Sequence, residues 1–322
     1  MMSLLFLILF QPPANEFFTE ISEKTLDSTE LSDFAYGFQA KEFTYLCFMT
    51  HLVGFDDEGT ILGSFNKRGA GPGELKSGGP IFMIGDKVFC YDVMGFKLVR
   101  FNSALEIEKE GSLKEYSIAQ LFFFNDGINL FSLSRKRNDG TGRILLEKWD
   151  TTELKATSIC TIPDFKTKLE MIPLVPHFID KSTILFFEQL QVKETIEGYV
   201  FDLESQQLRT IELPHLDYDP RAKGKPKENY FSLLEFSSEI KGIGADDSNI
   251  YVFSINYDPG LSRTAEKAGF RYYAMDKKSF EILDVKDIPY FPISGFHNNP
   301  VQVMKNQDGG VVVAHPRHFL DR

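Results

Sequence analysis

Six histidines, three cysteines and one glycine-dense loop are the residues of this 322-residue chain whose type and spacing bear on chemistry. His177 (in "PHF") and His297 (in "FHNNP") occupy corresponding places in two units of a repeated pattern described below. Each is expected just before a strand that lines a central channel. Imidazoles converging at the mouth of that channel would hold a divalent metal, as a hydrolase or lyase requires. A metal site of that kind draws ligands from several units. The corresponding residues elsewhere, Phe34, Ile81, Ile118 and Ile240, cannot coordinate an ion. The expectation is therefore no metal and no other cofactor, with a metal on His177 and His297 as the alternative. His315 and His318, in "AHPRHF", have a proline between them and are expected in a loop.

Cys47, Cys90 and Cys160 are too few and too scattered for a disulfide framework or a CxxC metal site. Cys47 and Cys90 lie in apolar, strand-like runs and are expected as small buried hydrophobes. The chain has no G-x-S-x-G elbow, so no Ser–His–Asp set can be placed from the sequence. Asp56–Asp57 and Asp246–Asp247 fall in hairpin turns, where short acidic side chains shape the backbone. No catalytic residue is assigned, and whether the chain is an enzyme stays open at this point.

The loop "FNKRGAGPGEL", Phe65 to Leu75, raises a sharper question. A phosphate cradle needs a strand before it, a helix after it, and Lys–Ser/Thr following the last glycine. Here "EL" follows, and a strand comes next. Pro72 also removes one amide donor. The loop reads as a corner between two pieces of sheet, with Lys67, Arg68 and Glu74 exposed on it.

The elements that position these residues follow from a repeat. An apolar strand, a tight polar turn and a second apolar strand recur six times, with turns centred near Ala40, Asp86, Asp126, Lys181, Asp247 and Asp308. Their Asn, Asp and Gly content suits hairpin turns. A second hairpin follows five of the six. Each unit is thus four strands, A to D, and units of this kind arranged radially make a β-propeller. The expectation is an all-β, six-bladed β-propeller with four-stranded antiparallel blades. The sixth unit lacks its second hairpin, so residues from about Phe17 to Thr29 are expected to close the ring with the missing outer strand or strands. Helix-period segments are nearly absent, which argues against a βαβ fold.

The A–B and C–D turns are tight, whereas the long segments are D–A and B–C connectors. Examples are 65–80, 163–176, 214–239 and 289–300 between units, and 135–142 and 256–269 within them. All of these open on one face of the disc, where a rigid frame would present binding loops. Tyr218, Arg221 and Tyr230 lie in the 214–239 connector, and His297 and Asn298 in the last one. With Lys67, Arg68, Glu74 and His177 they form the candidate binding set.

Composition sets the outer bounds. The hydrophobic fraction is 43%, and 31 Phe with 12 Tyr favour half-buried pleated surfaces over helices. A net charge of −11 with no clustered basic footprint excludes nucleic acid as a natural partner. Residues 1–14, "MMSLLFLILFQPPA", contain an apolar run of secretory length that is too short to span a bilayer. It lacks a basic n-region, so a truncated export signal is the expectation and a cytoplasmic start the alternative. Residues 15–322 then form a single propeller domain.

The stretch from Phe65 to Asn102 resembles an NHL repeat and, more closely, the six-bladed propellers of bacterial exported proteins. Gly71, Pro72, Gly73 and Leu75 match that family's loop, Pro80 precedes its first strand and Asp92 closes its second. Lys97, Leu98, Phe101 and Asn102 match its tail. The resemblance implies a propeller exported to the periplasm or cell envelope. Family members include binding modules and some enzymes, so it leaves activity open. The expected function is a non-catalytic binding module for a protein, peptide or glycan, acting through the long-loop face. A metal-dependent, lactonase-like hydrolase or lyase at the channel mouth is the alternative.

Overall fold

The computed structural model describes residues 18–24, 36–40, 43–48, 50–56, 60–136, 143–163, 165, 174–191, 193–216, 238–256, 269–288, 302–305 and 311–316. These residues contain 24 strands and no helix. The chain enters through β1 (Phe18–Lys24). The first sheet is β2 (Tyr36–Ala40), β3 (Phe43–Phe48), β4 (His51–Asp56) and β5 (Ile61–Asn66). The second is β6 (Gly78–Ile84), β7 (Lys87–Asp92), β8 (Lys97–Phe101) and β9 (Ile107–Ser112). The third is β10 (Tyr116–Asn125), β11 (Leu130–Lys136), β12 (Leu145–Asp150) and β13 (Lys155–Thr161).

The fourth sheet takes β14 (Leu174–Phe178), β15 (Thr183–Glu188), β17 (Thr195–Asp202) and β18 (Leu208–Pro214). Between them β16 (Leu190–Gln191) leaves to join the next sheet. That fifth sheet runs β16, β19 (Ser238–Ala245), β20 (Asn249–Asn256), β21 (Gly269–Asp276) and β22 (Ile282–Ile288). The last sheet pairs β23 (Gln302–Lys305) with β24 (Val311–Pro316), and β24 with β1. The N-terminal strand thus supplies the outer strand of the terminal hairpin's sheet, as expected.

Consecutive sheets touch through their first strands: β2 against β6, β6 against β10, β10 against β14, and β14 against β19. Meandering antiparallel sheets packed face to face around their first strands are the blades of a β-propeller. The second, third and fourth sheets are packed on both faces, so apolar residues run consecutively there instead of alternating with polar ones. The run Phe122–Phe123–Phe124 shows the consequence. Phe123 packs toward the second sheet, 5.9 Å from Phe82, while Phe124 packs toward the fourth, 5.1 Å from Phe178.

The short turns share one device. Asp126, Asp150, Asp180, Asp246 and Asp276 each accept backbone N–H bonds from the residues two and three positions on. Each carboxylate therefore caps its own turn. The C–D turns add a residue with positive φ, at Leu105, Leu154, Gln206 and Phe280. These turns reach over the outer strand of the preceding blade. A Cβ on Gly63 would sit 2.1 Å from the Ala104 carbonyl oxygen, and one on Gly111 would sit 2.7 Å from Leu154 Cβ. Arg209 likewise covers the Phe280 ring, 4.4 Å from its centroid. Glycine at 63 is thus set by close approach of the neighbouring blade.

Three details differ from the sequence expectation. His315, expected in a loop, lies in β24 opposite Thr19 of β1, because the strand continues through it to pair with the N-terminal strand, while His318 lies outside the described residues. Pro80 lies inside β6 rather than ahead of it, and the register between β6 and β7 shifts between Gly78 and Ile81. That irregularity accommodates a residue with no N–H to give the ladder. His177 lies within β14, not before it, and is buried.

Candidate functional site

The glycine loop is built from the inside. Leu75 N–H donates to the Lys67 carbonyl at 2.8 Å and Gly69 N–H to the Leu75 carbonyl at 3.0 Å, closing the loop's neck. The Glu74 carboxylate folds back to accept Gly71 N–H at 2.9 Å, and Glu110 of β9 accepts Gly73 N–H at 2.9 Å. Gly73 has φ of 75°, a conformation that favours glycine. Lys97 Nζ donates to the Gly71 carbonyl and to Glu110, each at 3.1 Å.

Beneath the loop the buried Asp92 carboxylate accepts three amides, from Lys76, Ser77 and Gly95, at 2.9, 2.9 and 2.8 Å. The amides that a phosphate would need are already held by carboxylates of the same molecule. An incoming anion would have to displace negative charge to reach them, so the loop is a corner and not a cradle. Asp92 and Lys97, taken from the sequence as motif positions, are the two ends of the β7–β8 turn that clamp this corner. Lys67, Arg68 and Lys76 remain exposed on its outer side, with Met94 beside the turn also exposed.

A second polar cluster sits at the same end of the sheets, where the fourth blade meets the fifth. β16 pairs with β19, Leu190 opposite Glu239 and Gln191 opposite Ser238, and Ile240 N–H donates to the Gln189 carbonyl at 2.8 Å. The B–C segment of the fourth blade is thereby stitched along the first strand of the fifth. Glu188, Gln189, Gln191, His215, Ser238 and Glu239 are all buried there. Gln189 Nε2 donates to Glu239 at 3.2 Å, and Gln191 Nε2 to the Glu188 carbonyl at 2.5 Å. Glu197 takes an ion pair from Lys193 and a hydrogen bond from the Tyr199 hydroxyl at 3.2 Å. Burial, then the charges of Glu188 and Glu197, push the Tyr199 hydroxyl well above its ordinary pKa, so it remains a donor.

His215 ties this junction together. Its Nδ1 lies 2.5 Å from the Lys193 carbonyl, which can only accept, so Nδ1 carries the proton. In the neutral ring Nε2 then accepts from the Ser238 hydroxyl, 2.5 Å away. This is the polarity of a serine nucleophile and its base, with a backbone carbonyl where an orienting carboxylate would stand. Both side chains are buried, and together they bolt β18, β19 and the β16–β17 turn to one another. Register explains why the sequence does not show it, since 22 positions separate His215 from Lys193 and 23 from Ser238.

Of the candidate binding residues, Lys67, Arg68 and Glu74 share the glycine corner, and His177 lies buried in the strand facing the fifth blade. Its strand neighbours Val175 and Ile179, two positions either side, pack with residues of the fifth sheet. Tyr218, Arg221, Tyr230, His297 and Asn298 lie outside the described residues. Among the described residues no three His, Cys, Asp or Glu side chains form a metal-holding group.

No family model matches the sequence, and no curated protein is similar to it at a significant level. Solved structures share its fold. A DUF4221 family member from Bacteroides vulgatus superimposes with a TM-score of 0.58 at 14% identity, covering 94% of this chain and 98% of the other. A candidate exported protein from Bacteroides fragilis superimposes with a TM-score of 0.57 at 13% identity, covering 95% and 96%. At such identities the likeness is one of fold. Among the described residues no helix is long and apolar enough to cross a membrane.

Proposed function

We propose that this chain is a non-catalytic binding propeller, exported to the cell envelope, that recognises a protein, peptide or glycan through its D–A/B–C face. In this reading the six sheets form one ring of six blades, the last completed by β1. One observation carries it: the glycine corner spends its amides and internal carboxylates on itself and leaves Lys67, Arg68 and Lys76 outward. A frame that satisfies its own polar groups while displaying charge suits recognition by surface contact. The opposite face carries tight turns whose aspartates are engaged in capping. The candidate exported relative in fold supports the compartment.

The test is a peptide and glycan array probed with purified protein, followed by K67E/R68E and, as a control on the opposite face, I128S. Binding lost in the double variant and kept in I128S supports the reading. Binding lost only in I128S would place the surface on the wrong face, and turnover of a bound ester or lactone would overturn the non-catalytic assignment.

A further inference from the structure

Cys47 and Cys90 face each other across the first and second blades. Tyr45 shares a side of β3 with Cys47, and its hydroxyl donates to the Ser103 carbonyl of the second blade at 3.2 Å. That side of the first sheet therefore faces the second. Cys90 stands opposite Val99, and Val88 opposite Phe101, so Phe101 shares Cys90's side. Phe101 meets Phe65 of the first blade edge to face, with centroids 5.2 Å apart. Both thiols are fully buried in one apolar cluster, and Cys90 is the group that acts most strongly on the Cys47 thiol.

We propose that Cys47 and Cys90 are a redox pair that closes to a disulfide joining the first two blades when the chain folds in an oxidising compartment. The sequence separation is too long for a CxxC motif and the third cysteine sits elsewhere, so only the packing of the blades reveals the pair.

The folded molecule itself protects the reduced form. The hydrogen bond with Cys90, then burial, then the charges of Cys90 and Asp92 hold the Cys47 thiol well above its ordinary pKa. Exchange needs a thiolate that can reach its oxidant, and here there is neither thiolate nor access. The unfolded chain offers both. There, one cysteine thiolate attacks a sulfur of a small-molecule disulfide such as glutathione disulfide and displaces one glutathione thiolate. The second cysteine, deprotonated, attacks the protein sulfur of that mixed disulfide and displaces the other. Two protein thiols are oxidised, one glutathione disulfide is reduced to two thiols, and the two protons pass to the departing thiolates. Folding sets the two side chains on facing sides of neighbouring sheets, within one cluster, and so favours this pairing over one with Cys160, which is partly exposed in the third blade.

The compartment rests on the export reading above, but the pairing is tested on purified full-length protein and stands or falls without it. The chain is unfolded in denaturant with reductant, then refolded in a glutathione/glutathione disulfide buffer or in reductant alone. Expected after oxidative refolding are one remaining titratable thiol at Cys160, a Cys47–Cys90 linked peptide on non-reducing digestion, and a Tm higher by about 5 °C or more than the reduced form, since a loop of ~40 residues is closed. Folded reduced protein placed in the same buffer should keep three thiols over the same hours. C47S and C90S should each retain two thiols and form no internal link. Three free thiols after oxidative refolding, a link to Cys160, or a linked form that melts lower than the reduced one would each overturn the proposal.

Discussion

His215 Nε2 and Ser238 Oγ lie 2.5 Å apart and join the last strand of the fourth blade to the first strand of the fifth. In a propeller these two strands stand at opposite radii, one on the rim and one by the axis. Only the D–A connector joins them covalently. The imidazole adds a second link that also captures the Lys193 carbonyl of the B–C turn. Three segments that present the loop face are thereby held in one geometry.

Replacing His215 with alanine removes both hydrogen bonds and leaves a buried hydroxyl and a buried carbonyl without the imidazole. The expected cost is about 2–4 kcal/mol, from lost hydrogen bonds and an unfilled space. Urea denaturation followed by fluorescence should show a lower midpoint for H215A with an unchanged slope. Hydrogen exchange should quicken at Leu190, Gln191 and Ile240 ahead of the third blade. Equal exchange across both blades would show that the imidazole is not the bolt.

Asp92 organises the other junction, and its replacement by asparagine tests whether charge or shape matters there. Asparagine keeps one oxygen, enough for Ser77 and Gly95, but turns an NH2 group toward the Lys76 N–H. Two donors then face each other in a buried place. D92N should lose about 1–3 kcal/mol and expose the 67–76 corner to trypsin at Lys67, Arg68 or Lys76. Limited proteolysis that leaves this corner as resistant as in the parent protein would contradict the clamp.

The blade pattern was legible because two signals agree along the chain: strand-length apolar runs, and the tight Asn-, Asp- and Gly-containing turns that separate them. The structure places each first-hairpin strand pair where that pattern put it, and the closing strand β1 lies within the segment the shortened last unit required. What stayed hidden depends on contacts between sheets. Nothing in "HLDY" marks His215 as a partner of Ser238, and nothing in "VFCYD" marks Cys90 as facing Cys47. Blade-to-blade proximity comes from stacking and leaves no local periodicity to read. Pro80 was misplaced for a related reason, since a register shift lets a strand begin before a residue that ordinarily stops it. The tight turns were read correctly as structural: Asp246 is occupied with its own loop.

That occupation gives a pH dependence. Burial works against the Asp246 carboxylate, but hydrogen bonds from the Tyr251 hydroxyl, the Ser248 and Asn249 amides and the Asn249 side chain outweigh it and hold its pKa below the ordinary aspartate value. Tyr251 is pushed up to about 12 by burial and then by this bond, so it stays a donor throughout the acid range. A carboxyl with a depressed folded-state pKa contributes stability that is present above the unfolded value, near 3.9, and is lost as pH falls through the folded one. Asp150, Asp202 and Asp276 are depressed in the same direction, chiefly by turn hydrogen bonds. Tm should therefore be flat between about pH 7 and 5 as far as these groups are concerned, then fall below about pH 4. D246N, neutral at every pH, should start from a lower Tm at pH 7 and fall less steeply below pH 4. Thermal melts of both proteins from pH 7 to 3 decide it: parallel curves would mean that the Asp246 charge is not what the turn holds.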